Sequence, residues 1–273
     1  MDLATLIGLV GGLSIVVVVM VLDGGSPAEL FAHPSALILT IGGALMASTI
    51  TASLKTFTSL PQYFLKALRP PKLDAVAAIE QIVKMTDRAR REGLLALEED
   101  SKKIDDPFMR RGVMLVVDGI DPAQVRSILA IEVAHMRERH AEGIKFFSAA
   151  GGFAPTMGII GTVMGLITVL KNLADPSSLG KSIAGAFLAT LWGILTANLI
   201  WLPLAGKLQK NSDEEIGHKE MIIEGLLALQ AGENPRVLRD KLYGFLPPKA
   251  RTSQDKRAAP AAAPAGAPAE AEA

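Results

Sequence analysis

Four stretches of this chain carry no Asp, Glu, Lys or Arg: Leu3 to Leu22, Leu30 to Leu54, Phe146 to Leu170, and Ser182 to Gly206. Each runs about 20–25 residues, the length an α-helix needs to cross roughly 30 Å of hydrocarbon. A helix in a soluble core rarely stays uncharged for so long, and the mean hydropathy of the whole chain is positive. The expected fold is therefore an all-α integral membrane protein. It has four transmembrane helices and a large cytoplasmic helical insertion between helices two and three.

The first stretch does not read as a cleaved leader. Asp2 stands where a basic flank belongs, and no small-residue cleavage site precedes Asp23. Orientation follows from the basic residues. The short connections Asp23 to Glu29 and Lys171 to Lys181 contain only Lys171 and Lys181, whereas sixteen basic residues lie between Lys55 and Lys145 and ten follow Gly206. This places the insertion, the C-terminal segment and both termini in the cytoplasm. The resulting division is 1–54 (helices one and two), 55–145 (cytoplasmic helical domain), 146–206 (helices three and four), 207–248 (cytoplasmic C-terminal helices) and 249–273, a disordered Pro/Ala-rich tail.

Local signals punctuate the cytoplasmic parts. Pro70-Pro71 breaks the chain, and Asp74 caps a helix starting at Ala75, with Val76, Ile79, Ile82, Val83 and Met85 on one face. Asp105-Asp106-Pro107 precedes a helix from Phe108 to Val117. Asp121-Pro122 starts another, with Val125, Ile128, Leu129 and Val133 together. Lys207 to Gln230 reads as helix ending at Ala231-Gly232, and a short helix follows Pro235. The insertion is expected to be a helical bundle continuous with spans two and three.

The chemistry is defined largely by exclusion. Cysteine is absent, so there is no disulfide framework or thiolate site. The formal net charge is zero, which gives no argument for nucleic acid as a partner. No phosphate-loop pattern occurs, and no enzyme or cofactor signature emerges. His135 and His140 lack metal-ligand spacing and read as solvated surface residues.

Within the spans, Gly161 and Gly165 form a G-x-x-x-G pair, and Pro155 leaves one carbonyl without its intrahelical donor. Gly185, Ala189, Gly193 and Ala197 make a smooth ridge beside a more polar row of Ser182, Ala186, Thr190 and Asn198. Two readings fit these rows: a wall facing a wet pore, or packed helices whose hydroxyls bond to backbone carbonyls. Because the spans have no carboxylate, conduction of a cation needs a partner to supply one, or hydroxyls and carbonyls to coordinate alone. In the insertion, Arg88, Arg90 and Arg91 precede Glu98, Glu99 and Asp100 across Gly93 to Leu97. That pattern is either a solvated face or a bipolar docking surface.

Several segments resemble one family, the MotA/PomA stator subunits of the bacterial flagellar motor. They are VVDGIDP from Val116 to Pro122, APTMGIIGT from Ala154 to Thr162, AFLATLWG from Ala186 to Gly193 and EGLLALQAGENPR from Glu224 to Arg236. The likeness runs in order over roughly residues 1 to 246. It implies a pentamer in the bacterial cytoplasmic (inner) membrane around a single-span MotB/PomB-type partner that carries the membrane aspartate. It further implies H+ or Na+ as the transported ion, no cofactor, and the rotor protein FliG as the target of torque.

By position, Pro155 and Pro203 match the prolines associated with ion-coupled conformational change. Thr162 and Thr190 match ion-pathway positions. Sodium-type members carry both threonines but usually another threonine where Ala189 stands, and proton-type members often have alanine in place of Thr162. Arg90 and Glu98 match the rotor-contact pair, with Arg91 and Glu99 as weaker additions. The other motor class compatible with a partner aspartate is ExbB/TolQ-like, which works on outer-membrane systems and typically has three spans with the N-terminus outside. A passive membrane scaffold without ion coupling is a third reading.

Overall fold

The structure is a computed structural model that describes residues 3–69, 73–174 and 176–248. The Pro70-Pro71 break and the Pro/Ala-rich tail lie outside those residues. Among the described residues every regular element is helical. The chain divides into two compact units, Met1–Leu73 with Ile131–Ile216, and Asp74–Ala130 with Gly217–Ala273.

The first unit holds the apolar helices. Helix α1, Leu3–Leu22, buries no residue. Leu6 and Ile15, nine residues and half a turn apart in direction, are 40 % and 66 % exposed on opposite sides of it, which suits a helix solvated by lipid. After a 3-10 turn at Pro27–Phe31, α2 covers Pro34–Ile50 and contains a π turn at Ile38–Gly42. Its buried hydroxyls bond back along the helix, Thr40 to the Ala36 carbonyl and Ser48 to the Ala44 carbonyl, both at 2.8 Å.

This helix differs from the expected second span. It stops at Ile50, and Ser53 takes an extended conformation whose hydroxyl accepts from the Thr56 N–H, capping a new helix α3, Leu54–Thr58. The sequence between Thr51 and Ser53 prefers side-chain bonding over helix continuation, so the insertion is not continuous with span two. Helix α4, Leu60–Leu68, follows.

Helix α8, Pro122–Lys171, runs without interruption from the insertion through the third apolar stretch, as the continuity reading requires. Helix α9, Pro176–Thr196, passes through a π turn at Ala197–Trp201 directly into α10, Leu202–Gln230. Among the described residues, three helical stretches are long and apolar enough to cross a membrane: Leu3–Leu22, Pro122–Lys171 and Leu179–Gln230. Pro34–Ile50 is a shorter apolar helix.

The core of the first unit gathers Ala67, Phe146, Phe147, Leu204 and Leu208, with Tyr63 and Trp201 packed on its edge. Phe147 stacks on Trp201 with ring centroids 6.2 Å apart. Desolvation raises the Tyr63 phenol pKa, and the nearby Glu142 carboxylate raises it further. His140 is not the solvated residue its sequence neighbourhood suggests. Its ring lies 2.9 Å from the Ser212 hydroxyl and 3.9 Å from Glu215. Burial lowers its pKa, Lys66 and Arg139 push the same way, and Glu215 opposes.

The second unit is a small bundle of α5 (Ala75–Glu92), α6 (Leu97–Ser101), α7 (Pro107–Val117), the start of α8, the end of α10, and α11 (Pro235–Tyr243). The expected caps are present. Asp74 accepts from the Ala77 N–H, Asp106 from Phe108 and Asp121 from Ala123. Helix α10 ends as expected at Ala231-Gly232, where Gly232 takes φ 68° and the Glu233 N–H reaches the Ala228 carbonyl. Ile79, Ile82, Leu97, Leu129, Leu226 and Leu238 are fully buried between these helices. Lys219 reaches both oxygens of Asp106 at 2.9 Å and lies 4.8 Å above the Phe108 ring, so the capping carboxylate is also an ion-pair partner.

Candidate functional site

Thr162, Thr190 and most of the residues assigned to helix packing gather where α8 meets α9. Glycine is what permits the approach. A Cβ on Gly193 would lie 2.6 Å from the Ala154 carbonyl oxygen, and one on Gly158 would lie 2.9 Å from that of Ala189. In both cases the obstacle is backbone, which cannot rotate away. Gly161 and Gly165 face Ala189 and Ala186, each of whose Cβ atoms would stand 2.5 Å from an added one. Gly185 departs from this pattern: its neighbour is the His33 ring, 2.9 Å from the Cβ position. Gly158 contacts backbone more closely than either member of the G-x-x-x-G pair. Its spacing to Gly193 crosses two helices, so no local pattern could pick it out.

This close approach brings Thr162 and Thr190 together. Their hydroxyls hydrogen-bond to one another. Carbonyl acceptors surround them: Thr162 lies 3.2 Å from the Gly158 carbonyl and 3.3 Å from that of Ala186, and Thr190 lies 3.3 Å from that of Gly158. Both threonines are half-buried. Two hydroxyls and two carbonyls thus converge in a span free of formal charge, a group of oxygens able to solvate a small cation or hold water. Beside them, a cavity of about 450 Å³ is lined by His33, Leu39, Thr168, Lys181 and the small faces of Gly161 and Ala189.

The two prolines modify the backbone at separate points of these helices. Pro155 lies inside α8, half-buried, and cannot donate to the Gly151 carbonyl. Pro203 lies in the first turn of α10, exposed, and the helix immediately before it widens into the π turn Ala197–Trp201. A proline ring crowds the carbonyl four residues earlier, here Leu199, and the wider turn makes room for it. Asn198, expected on the polar row, is exposed and donates back to the Ile194 carbonyl at 2.9 Å.

The charged residues form a separate exposed group in the second unit. Helix α5 ends at Gly93, whose φ of 86° turns the chain into the 3-10 turn Leu94–Ala96 and then α6. Arg88 ties this corner together through Glu92 and Asp100, both at 2.9 Å, with Glu99 at 3.9 Å. Those hydrogen bonds, first to Glu92 and then to Asp100, raise its pKa. Arg91 pairs with Asp87 at 2.9 Å and Glu98 with Lys102 at 3.4 Å. Arg90 is exposed and has no ion-pair partner among the described residues. Leu95, which lies between the basic and acidic groups in the sequence, is 76 % exposed. Sequence reasoning passed over it, because one leucine in a Leu-Leu-Ala-Leu run carries no sign of facing outward.

Comparison with known proteins places these features in a family. Residues 100–221 match the family described as the MotA/TolQ/ExbB proton channel family. The chain is 39% identical to Motility protein A of Treponema pallidum, over 92% of this chain and 96% of that protein. It is also 39% identical to chemotaxis protein PomA of Vibrio alginolyticus, over 90% and 96%. Among solved structures, it is similar to the flagellar MotAB stator complex from Bacillus subtilis, with TM-score 0.85, 37% identity and 92% and 98% of the two chains covered. It is likewise similar to C. jejuni MotAB, with TM-score 0.86, 29% identity and coverage of 91% and 97%. Near-complete coverage of motility proteins at this identity means that the chain belongs to the MotA/PomA family of flagellar motor stator subunits.

Proposed function

We infer that the chain forms, with a single-span MotB/PomB-type partner, the ion channel of a flagellar stator and couples H+ or Na+ flow to torque on the rotor protein FliG. The observation that carries this reading is the Thr162–Thr190 oxygen group set in long apolar helices whose uncharged stretches, Phe146 to Leu170 and Ser182 to Gly206, contain no carboxylate. A cation crossing hydrocarbon needs a titratable or strongly coordinating group, so the partner supplies the carboxylate and this chain supplies the wall.

In this arrangement five copies surround the partner in the inner membrane. Four spans cross it, with both termini and residues 55–145 and 207–248 in the cytoplasm and the 249–273 tail disordered. Pro155 and Pro203 serve as the flexible points of the ion-coupled change, and Thr162 and Thr190 line the pathway. Gly161, Gly165, Gly185, Ala189 and Gly193 keep the helices close enough for those threonines to meet. Arg90 and Glu98, with Arg91 and Glu99, form the rotor-contact face. The exposure of Arg90, which has no ion-pair partner among the described residues, supports this, because an exposed guanidinium is open to an acidic partner.

The test is motility in a host lacking its own stator. Co-expression with the partner restores swimming, Arg90→Glu reduces it with membrane insertion unchanged, and either sodium removal or a protonophore stops it, but not both. Undiminished swimming of the Arg90→Glu strain across several viscosities removes the rotor-contact assignment. Insensitivity to both ion treatments removes the motor reading.

A further inference from the structure

Trp201 is the last residue of the π turn Ala197–Trp201. Its indole stacks on Phe147 of α8 with the ring planes 18° apart, and it also packs against the cluster of Ala44, Ala154 and Ala197. The indole Nε1–H is shielded from solvent, yet no acceptor lies within hydrogen-bond distance of it among the described residues. The other tryptophan of the chain shows the usual solution: Trp192 donates from Nε1 to the Leu30 carbonyl at 2.8 Å. A buried donor without an acceptor raises the free energy of the state that contains it, and hydrocarbon offers no water to relieve it.

α8 holds the complementary group. Phe147, Gly151 and Ala154 follow one another at steps of four and three residues, so they share one face of that helix. The indole meets this face at Phe147. Leu202, the next residue after Trp201, meets it at Gly151, which is buried and whose Cβ position lies 3.5 Å from the Leu202 backbone nitrogen. Pro155 cannot donate to the Gly151 carbonyl. A shielded N–H without an acceptor and a buried carbonyl deprived of its intrahelical donor therefore belong to the same helix contact.

We propose that Trp201 is a positioning residue of the ion-coupled change: its indole N–H is unbonded in the arrangement seen in the structure and donates to the Gly151 carbonyl in the alternate one. The π turn supplies the motion. It holds one surplus residue, and shifting that surplus along the helix rotates the residues it passes, Trp201 among them. Joining the two unsatisfied groups offsets the contacts that the rotation gives up, which keeps the two arrangements close in free energy. The inference rests on the stator reading above, and it adds the bond that the second arrangement gains.

The test uses the full chain in nanodiscs with its single-span partner, isotope-labelled at the indole nitrogens of Trp192 and Trp201. The partner carries its membrane aspartate or, as a permanently neutral stand-in, asparagine in its place. Indole N–H chemical shifts report hydrogen bonding, with Trp192 as the bonded reference and Trp201→Phe assigning the second signal. The Trp201 signal is unbonded with one form of the partner and gains a bonded component with the other, a change of about five-fold in the bonded-to-free ratio. Pro155→Ala, which returns a donor to the Gly151 carbonyl, removes that component and leaves the Trp192 signal in place. Trp201→Phe keeps a ring over Phe147 and discards an unpaired donor, so it unfolds at or above the wild-type temperature while swimming slows by about two-fold or more. A Trp201 signal identical with both forms of the partner overturns the proposal, as does a bonded component that survives Pro155→Ala. Undiminished swimming of Trp201→Phe overturns it too, and so does slowed swimming accompanied by a fall in Tm, which assigns Trp201 to packing alone. Wild type that fails to restore swimming counts against the stator reading instead, a result distinct from each of these.

Discussion

Replacing Gly193 by alanine tests whether the α8–α9 approach is set by backbone contact. The added methyl would lie 2.6 Å from the Ala154 carbonyl oxygen and 3.2 Å from Gly158 Cα. Ordinary contact begins near 3.4 Å. Neither neighbour is a side chain that can swing aside, so the helices must separate by about 0.8 Å at that point. Overpacking of this kind costs about 1–3 kcal/mol, and the backbone origin of the clash puts Gly193→Ala toward the upper end. Alanine returns about 1 kcal/mol through its helix propensity, leaving a net loss of about 2 kcal/mol.

For a chain of this size such a loss lowers Tm by about 4–8 °C. The separation also stretches the Thr162–Thr190 hydrogen bond, which depends on the same approach. The assay is thermal unfolding of the purified complex in one detergent, with swimming speed measured in parallel. Gly217→Ala is the control, since nothing lies within 4 Å of its Cβ position in α10. There the propensity gain acts alone and raises stability by up to about 1 kcal/mol. If Gly193→Ala unfolds at the wild-type temperature and swims normally, the backbone-contact argument is wrong.

Three further perturbations follow from named contacts. His140 has a lowered pKa through burial, so the fold favours its neutral form; stability present above about pH 6.5 is lost as pH falls toward the folded-state value. Melting at pH 8 and pH 5.5 should show a smaller acid loss for His140→Gln than for wild type, and identical losses would refute the assignment. Lys219→Met removes the partner of Asp106 while keeping an apolar stem over Phe108, and should cost about 2–3 kcal/mol by leaving a half-buried carboxylate with only its capping bond. Urea unfolding of Lys219→Met against Asp106→Asn and the double variant measures the coupling, and simple additivity would contradict the pairing. Leu95→Asp should reduce swimming as strongly as Arg90→Glu with no change in Tm, because the side chain buries almost nothing in this chain; a fall in Tm would show that Leu95 packs internally.

Which parts of this structure could be read from sequence follows the range of the interactions. Asp74, Asp106 and Asp121 were legible as helix starts because a cap is satisfied within three residues of itself. Gly232 was legible as a stop because only local backbone geometry is involved. The end of α2 at Ile50 was missed because the uncharged run continues to Leu54, and hydropathy does not register that Ser53 prefers to cap a new helix. His140 was missed for the opposite reason: its charged sequence neighbours say surface, while Ser212 and Glu215, brought in from α10, cover it.

The threonine pair shows how a choice between two sequence readings changes once distances are known. A pore-facing wall and a packed interface were alternatives while only the rows of residues were visible. In the structure the glycines at 158, 161 and 193 create the packing, and the packing is what places the Thr162 and Thr190 oxygens against each other and against the Gly158 and Ala186 carbonyls. Helix contact is therefore the means by which a span without ionisable residues concentrates oxygen atoms in one place. The same hydroxyls already satisfy one another, so an arriving cation or water must exchange with an existing hydrogen bond and is not met by free lone pairs. The exchange must be complete, because a buried hydroxyl or carbonyl left without a partner costs about 1–3 kcal/mol. In the proposed pathway, passage would then be sensitive to sub-ångström changes in the distance between α8, which contains Pro155, and α9, which runs into the π turn before Pro203.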